Sequence, residues 1–217
     1  MIIKGNLNLK KSSIESLGKI KKLYGTLVLE DCVFLENLGK LEYLEGNIYI
    51  NNCPNIKTSG RLKKIKGNLE SNSLREFTEL EEIIGNFSSG ISGFENLGKL
   101  KKIEGYLNLR NSWRLYNTGI LEYVEKSFIL YNCNNLISIN KLIEVGKDLN
   151  LENCRSLKTL GKLEKVGGEL NLEGCLTLES LGELKFVKEN IILKNCNKLN
   201  DLGQLEFIKG GLNLSAT

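Results

Sequence analysis

The fold class predicted by the sequence is a solenoid of about ten short repeats, with one parallel β-sheet, short 3-10 or irregular return segments and little α-helix. Three observations carry that prediction: a 21-residue period across 217 residues, apolar–polar alternation at the start of each period, and a cysteine that returns to one slot. Residues 147–167 read KDLNLENCRSLKTLGKLEKVG, 168–188 read GELNLEGCLTLESLGELKFVK, and 189–209 read ENIILKNCNKLNDLGQLEFIK. Earlier units open at Gly5, Gly25, Gly46, Gly67, Gly85, Gly105 and Lys126, with lengths of 20, 21, 21, 18, 20, 21 and 21 residues. A partial unit runs from Gly210 to Thr217, so the repeat fills residues 1–217 as a single domain.

The opening segment predicts a half-buried strand. Leu170 and Leu172 point one way, and Glu169, Asn171 and Glu173 point the other. One unit cannot bury its leucines alone. Stacking units about 4.8 Å apart merges the strands into a parallel sheet and the leucine rows into one core. The later L-x-x-L-G-x-L-x-x-V/I spacing leaves too few residues for a full helix and two loops, and predicts a turn with an irregular return.

The run Leu149-Asn150-Leu151-Glu152-Asn153-Cys154-Arg155-Ser156-Leu157 resembles the leucine-rich repeat signature L-x-L-x-x-N/C-x-L, with one extra residue after the cysteine. The turn Val166-Gly167-Gly168-Glu169-Leu170 resembles short bacterial and phage repeats of that family, and also the receptor L domain, a related right-handed β-solenoid. The resemblance spans essentially the whole chain. It implies a curved scaffold that binds a partner protein on a concave sheet, and it brings no catalytic residues with it.

Cys32, Cys53, Cys133, Cys154, Cys175 and Cys196 share one slot, which predicts a ladder of small buried free thiols. No C-x₂-C pair suggests a metal, and parallel side chains on adjacent coils suit disulfide geometry poorly. The repeat is irregular over 67–95, where Ser71 and Ser89 replace strand leucines and Gly90-Ile91-Ser92-Gly93 follows. That stretch reads either as drift with a local kink or as a joint or binding feature. Leu212 and Leu214 near one end and Ile2 and Ile3 near the other leave edge-to-edge self-association open.

The outer rows of the strand segment are the candidate binding face. Tyr106, Arg110, Ile129 and Tyr131 fall on adjacent strands, Tyr49 lies further along the sheet, and Trp113 is expected at the nearby rim. Tyr, Trp and Arg are common anchors of protein interfaces. Asp148, Glu152, Glu169 and Glu173 form an expected acidic patch, either a contact for a basic partner or a solvated face. Lys19, Lys21 and Lys22, then Arg61, Lys63, Lys64 and Lys66, then Lys99, Lys101 and Lys102 recur in alternate units. Aligned, they would make a convex lysine stripe, either solvated or in contact with RNA or another nucleic acid.

Composition narrows the function classes. The chain has no histidine, which removes Ser-His-Asp and Cys-His catalysis and His-ligated metal sites. It has no G-x-x-x-x-G-K-[ST] phosphate loop. The net charge of +4, from 30 basic and 26 acidic residues, is too balanced to signal nucleic acid by itself. No enzyme, cofactor or metal is expected. The start, Met1-Ile2-Ile3-Lys4-Gly5, lacks the pattern of a secretory signal, and no apolar run reaches membrane-span length, so a cytoplasmic location is expected. A non-catalytic protein-binding scaffold acting by occupancy is the leading expectation. A phage or mobile-element inhibitor of a host protein is one form such a scaffold takes. The alternatives are a nucleic-acid binder and a surface recognition protein of the receptor L type.

Overall fold

The computed structural model describes residues 1–90 and 93–217. Ile91 and Ser92, part of the predicted irregular stretch, lie outside the described residues. The described residues form two eleven-stranded parallel sheets, each with its strands in chain order. Every coil therefore contributes one strand to each sheet and pairs with the coil before and the coil after. At about 4.8 Å per step, each sheet runs roughly 50 Å along the stack.

The second sheet in chain order is the one expected from the sequence. Leu149 pairs with Leu170 and Leu170 with Ile191, while Asn150, Asn171 and Ile192 stay in step beside them. The other sheet corrects the expectation of a single sheet with an irregular return. Segments such as Tyr43–Glu45, Lys64–Lys66 and Lys165–Val166 are strands, with Val124, Val145, Val166 and Val187 aligned along the inner row. Among the described residues there is no α-helix and no 3-10 helix. The reason is pairing between coils: a single Leu, Ile or Val beside polar residues is strand alternation cut to its minimum, too short to hold a strand alone. Its hydrogen bonds come from neighbouring coils, so length within the coil is not required. The third side carries only isolated parallel bridges, such as Asn117 to Ser138 and Ser138 to Thr159.

Corners hold the three sides together. Between the sheets most coils turn at glycine, with Lys126, Lys147 and Glu189 at that corner in the others. At Gly46 φ is +146°, and a Cβ there would sit 2.3 Å from the Gly25 carbonyl oxygen, so two backbones meet where a side chain would be. The next residue often carries a side-chain acceptor for the following coil. Asn47 Oδ1 accepts from the Asn68 N–H at 2.9 Å, Asn68 from Asn86 at 2.8 Å, and Asn86 from Tyr106 at 3.0 Å. After the second sheet the turn residue is left-handed, as at Asn52, Asn132 and Asn153 with φ of 55°, 61° and 57°, a conformation asparagine tolerates.

The cysteine ladder follows that turn. All six thiols are free and buried. Each Sγ–H reaches a carbonyl at or just past the strand of the preceding coil, for example Cys53 to Leu29 at 3.2 Å and Cys154 to Leu130 at 3.2 Å. The thiol thus adds a second donor to a carbonyl that a turn N–H also engages, as when the Cys133 N–H donates to the Leu130 carbonyl at 3.2 Å. Burial pushes the Cys53 and Cys196 thiols up to about 11 and raises Cys154 and Cys175 as well.

The shortened middle is rebuilt. The second sheet keeps its register through it: Leu69, Phe87 and Leu107 align, as do Glu70, Ser88 and Asn108. Where the cysteine slot is lost, hydroxyls replace thiols. Ser71 donates to the Ile50 carbonyl at 3.0 Å, and Ser89 donates to the Ser71 carbonyl at 2.8 Å. Phe77, Phe87 and Phe94, all buried, pack with ring centres 4.9–5.8 Å apart and fill the volume that the small residues vacate. One apolar core runs along the stack, with partly buried residues at both ends, such as Ile3 and Leu7 or Leu205 and Ile208.

Candidate binding site

On the outer face of the second sheet, Asn108 and Ile129 are register partners. The Asn111 N–H donates to the Tyr131 carbonyl at 3.0 Å, which places Arg110 and Tyr131 side by side on adjacent coils. Tyr106 is exposed at the corner and Arg110 is exposed further along the same strand segment, while Ile129 and Tyr131 are half-buried. Tyr106, Arg110, Ile129 and Tyr131 therefore share one face, as expected. Tyr49 lies in the same row as Ile129 but four strands away, about 19 Å along the sheet.

The predicted acidic patch is tied into the scaffold. Asp148 Oδ1 accepts from the Glu169 N–H at 3.0 Å, as the corner asparagines do in other coils. Its Oδ2 accepts from the Ser127 hydroxyl at 3.4 Å. Glu169 accepts from Asn190 at 3.2 Å, and Glu152 accepts from Asn171 at 3.4 Å. Glu173 is ion-paired with Lys194 at 3.3 Å. Asn150 and Asn171 between them accept from the N–H groups of Glu152 and Glu173, both at 3.0 Å, and so brace the turn.

The lysines of alternate coils are interleaved with acids. Backbone bonds stack Lys21, Glu42, Lys63, Glu81, Lys101 and Glu122 in one column, a strict alternation of sign. In the adjacent strands Lys64 is ion-paired with Glu82, Lys66 with Glu45 at 3.7 Å, and Lys102 with Glu125 at 2.7 Å and Glu104 at 3.2 Å. Lys99 meets Glu79 at 2.9 Å. The carboxylates of Glu125 and Glu104 raise the Lys102 ammonium above its ordinary value and hold it charged. A hollow of about 490 Å³ lies on this face, lined by Lys102, Tyr123, Val124, Glu125, Glu144 and Gly146.

Trp113 comes just past the left-handed turn at Asn111, φ 59°, where the second sheet gives way to the third side, and is 52% exposed. There it joins residues that sequence reasoning missed: Tyr116, Ile120 and Ile137, all exposed. The signal was available. In other coils the Tyr116 and Ile137 slot holds Glu36, Lys57, Glu95, Lys158 or Glu179. Among the described residues no group of three or more His, Cys, Asp or Glu is placed to hold a metal ion, and no helix is long and apolar enough to cross a membrane. No protein-family model, curated protein or solved structure matches the chain.

Proposed function

We propose that the protein is a non-catalytic scaffold of the leucine-rich repeat type that recognises a partner protein through the outer face of its second sheet and acts by occupancy. Binding would block, sequester or recruit the partner. The observation that carries this reading is a contrast on that face. The acidic residues of coils eight and nine are committed to the scaffold's own hydrogen bonds and ion pairs. Among the described residues, no side-chain hydrogen bond or ion pair engages the Arg110 guanidinium or the Tyr106 and Tyr131 hydroxyls. Large side chains not used in holding the fold are the natural anchors of an interface. The L-x-L-x-x-C-x-x-L run supports the family assignment. Six buried, unpaired thiols suit the reducing cytoplasm, the setting we propose.

The test is capture from source-cell extract by the tagged chain, with and without nuclease, beside a Tyr106→Ala/Tyr131→Ala variant whose folding has been verified. One partner that survives nuclease and is lost with the two tyrosines supports the reading. Capture that vanishes with nuclease and ignores the tyrosines refutes it in favour of nucleic acid.

A further inference from the structure

The third side of coils six to eight consists of residues 111–121, 132–142 and 153–163. These three segments contain Arg114, Lys141, Arg155, Lys158 and Lys162, and no Asp or Glu. All five cations are exposed. Among the described residues none of them is in an ion pair, whereas nine pairs link Lys and Glu elsewhere. The same segments present Trp113, Tyr116, Ile120 and Ile137 at 52%, 41%, 39% and 47% exposure.

Stacking makes these side chains neighbours. The Ile137 N–H donates to the Tyr116 carbonyl and the Lys158 N–H to the Ile137 carbonyl, both at 2.9 Å. Tyr, Ile and Lys therefore follow one another in one column, about 4.8 Å per step. The anchors are already ordered. The Arg114 guanidinium lies 5.0 Å from the Trp113 ring centre. Asn135 Nδ2 donates to the Trp113 carbonyl at 2.7 Å, and Asn96 Nδ2 donates to the Tyr116 hydroxyl at 3.2 Å. The fold does not demand this chemistry, because the corresponding third-side segments of other coils carry Glu15, Glu36, Glu95, Glu179 and Asp201.

We propose that the third side of coils six to eight docks an acidic peptide segment with apolar anchors, supplied by a partner protein. Five exposed cations without an ion pair, flanked by acids only on the neighbouring coils at Glu95 and Glu179, call for a polyanion. The two exposed isoleucines favour a peptide: a base could stack on the Trp113 and Tyr116 rings but gains nothing from Ile120 and Ile137, which pack well against aliphatic or aromatic side chains of a peptide. Three coils span about 10–14 Å, the width of one extended strand or one helix. This proposal rests on the reading of the chain as a binding scaffold, but it uses a different face.

Trp113 is the chain's single tryptophan, so its fluorescence reports on this surface directly. The probe is a synthetic peptide of about eleven residues alternating Glu or Asp with Leu or Phe, titrated at low salt. Expected is a saturable blue shift of emission. Affinity should drop about tenfold or more in an Arg155→Glu/Lys158→Glu variant that melts like the parent, and it should also weaken at high salt. The Tyr106→Ala/Tyr131→Ala variant should bind the probe unchanged, which separates failure of this proposal from failure of the sheet-face reading. The same peptide with Lys in place of its acids should give no shift. Absence of a saturable response to the acidic probe up to millimolar concentration would overturn the proposal. So would a response indifferent to the charge reversals, or saturation by oligo(dT) in place of the peptide.

Discussion

Two buried serines should respond to the same substitution with opposite sign. Ser71 is 1% exposed and its hydroxyl is fully used: it donates to the Ile50 carbonyl at 3.0 Å and accepts from the N–H groups of Leu74 at 3.0 Å and Ser73 at 3.2 Å. In regular coils a backbone carbonyl does the accepting, as when Ile56 donates to Cys53. In the shortened coil the side chain stands in for the missing turn. Ser71→Ala strands a buried carbonyl and a buried N–H, each worth about 1–3 kcal/mol, so a loss of about 2–6 kcal/mol is expected. Ser59 is also 1% exposed, yet its Oγ is buried without a hydrogen-bond partner. Ser59→Ala removes an unsatisfied hydroxyl and should stabilise by about 1 kcal/mol. For a chain of this size each kcal/mol moves Tm by about 2–4 °C. Thermal melts followed by circular dichroism should therefore show a fall of about 4–24 °C for Ser71→Ala and a rise of about 2–4 °C for Ser59→Ala. Ser71→Cys should recover part of the loss, because a thiol caps the same carbonyl row in neighbouring coils. Shifts of the same sign for the two alanine variants would refute the assignment of these hydroxyls.

Three further outcomes are expected. Leu151→Asp places a carboxylate at a fully buried position of the second sheet and should cost at least about 3 kcal/mol; amide exchange should show the adjacent coils opening first, and an unchanged melt would contradict the inward register. Gly46→Ala adds a Cβ at 2.3 Å from a backbone oxygen at φ +146° and should destabilise by about 1–3 kcal/mol, whereas Lys147→Ala, at a corner position already occupied by a side chain, should be nearly neutral in the same denaturant titration. Unfolded thiols ionise near pH 9, while burial raises Cys53 and Cys196 to about 11. Between those values the unfolded state has shed protons that the folded state keeps, so stability present below pH 9 is lost as pH climbs towards 11. Thiol titration at pH 8 should accordingly be slow in the native protein and count six thiols in denaturant; rapid native reaction would sink the buried ladder.

Much of the scaffold was legible in one dimension because the structure is nearly one-dimensional. A strand's side chains alternate with period two, and a stack of coils repeats with the sequence period, so Leu149, Leu170 and Ile191 had to share a row. The cysteine slot was equally plain, since six recurrences at one phase leave little but a ladder. The Tyr106, Arg110, Ile129 and Tyr131 grouping followed from the same counting. Counting failed where contacts between coils make the decision. Lys165–Val166 is a two-residue strand whose only support is pairing with Glu144–Val145 and Phe186–Val187, so nothing in its own sequence distinguishes it from a loop.

The sequence by itself determined the period, the inward rows, the thiol slot and the absence of histidine chemistry, because each depends only on residue identity and phase. Tertiary structure decided the second sheet, the pairing of Lys102 with Glu125 across 23 positions, and the face on which Trp113 sits. Those depend on backbone turns and cross-coil distances. A left-handed residue at Asn111 rotates everything after it onto another side, and side chains of opposite charge cancel only when stacking brings them within a few ångströms.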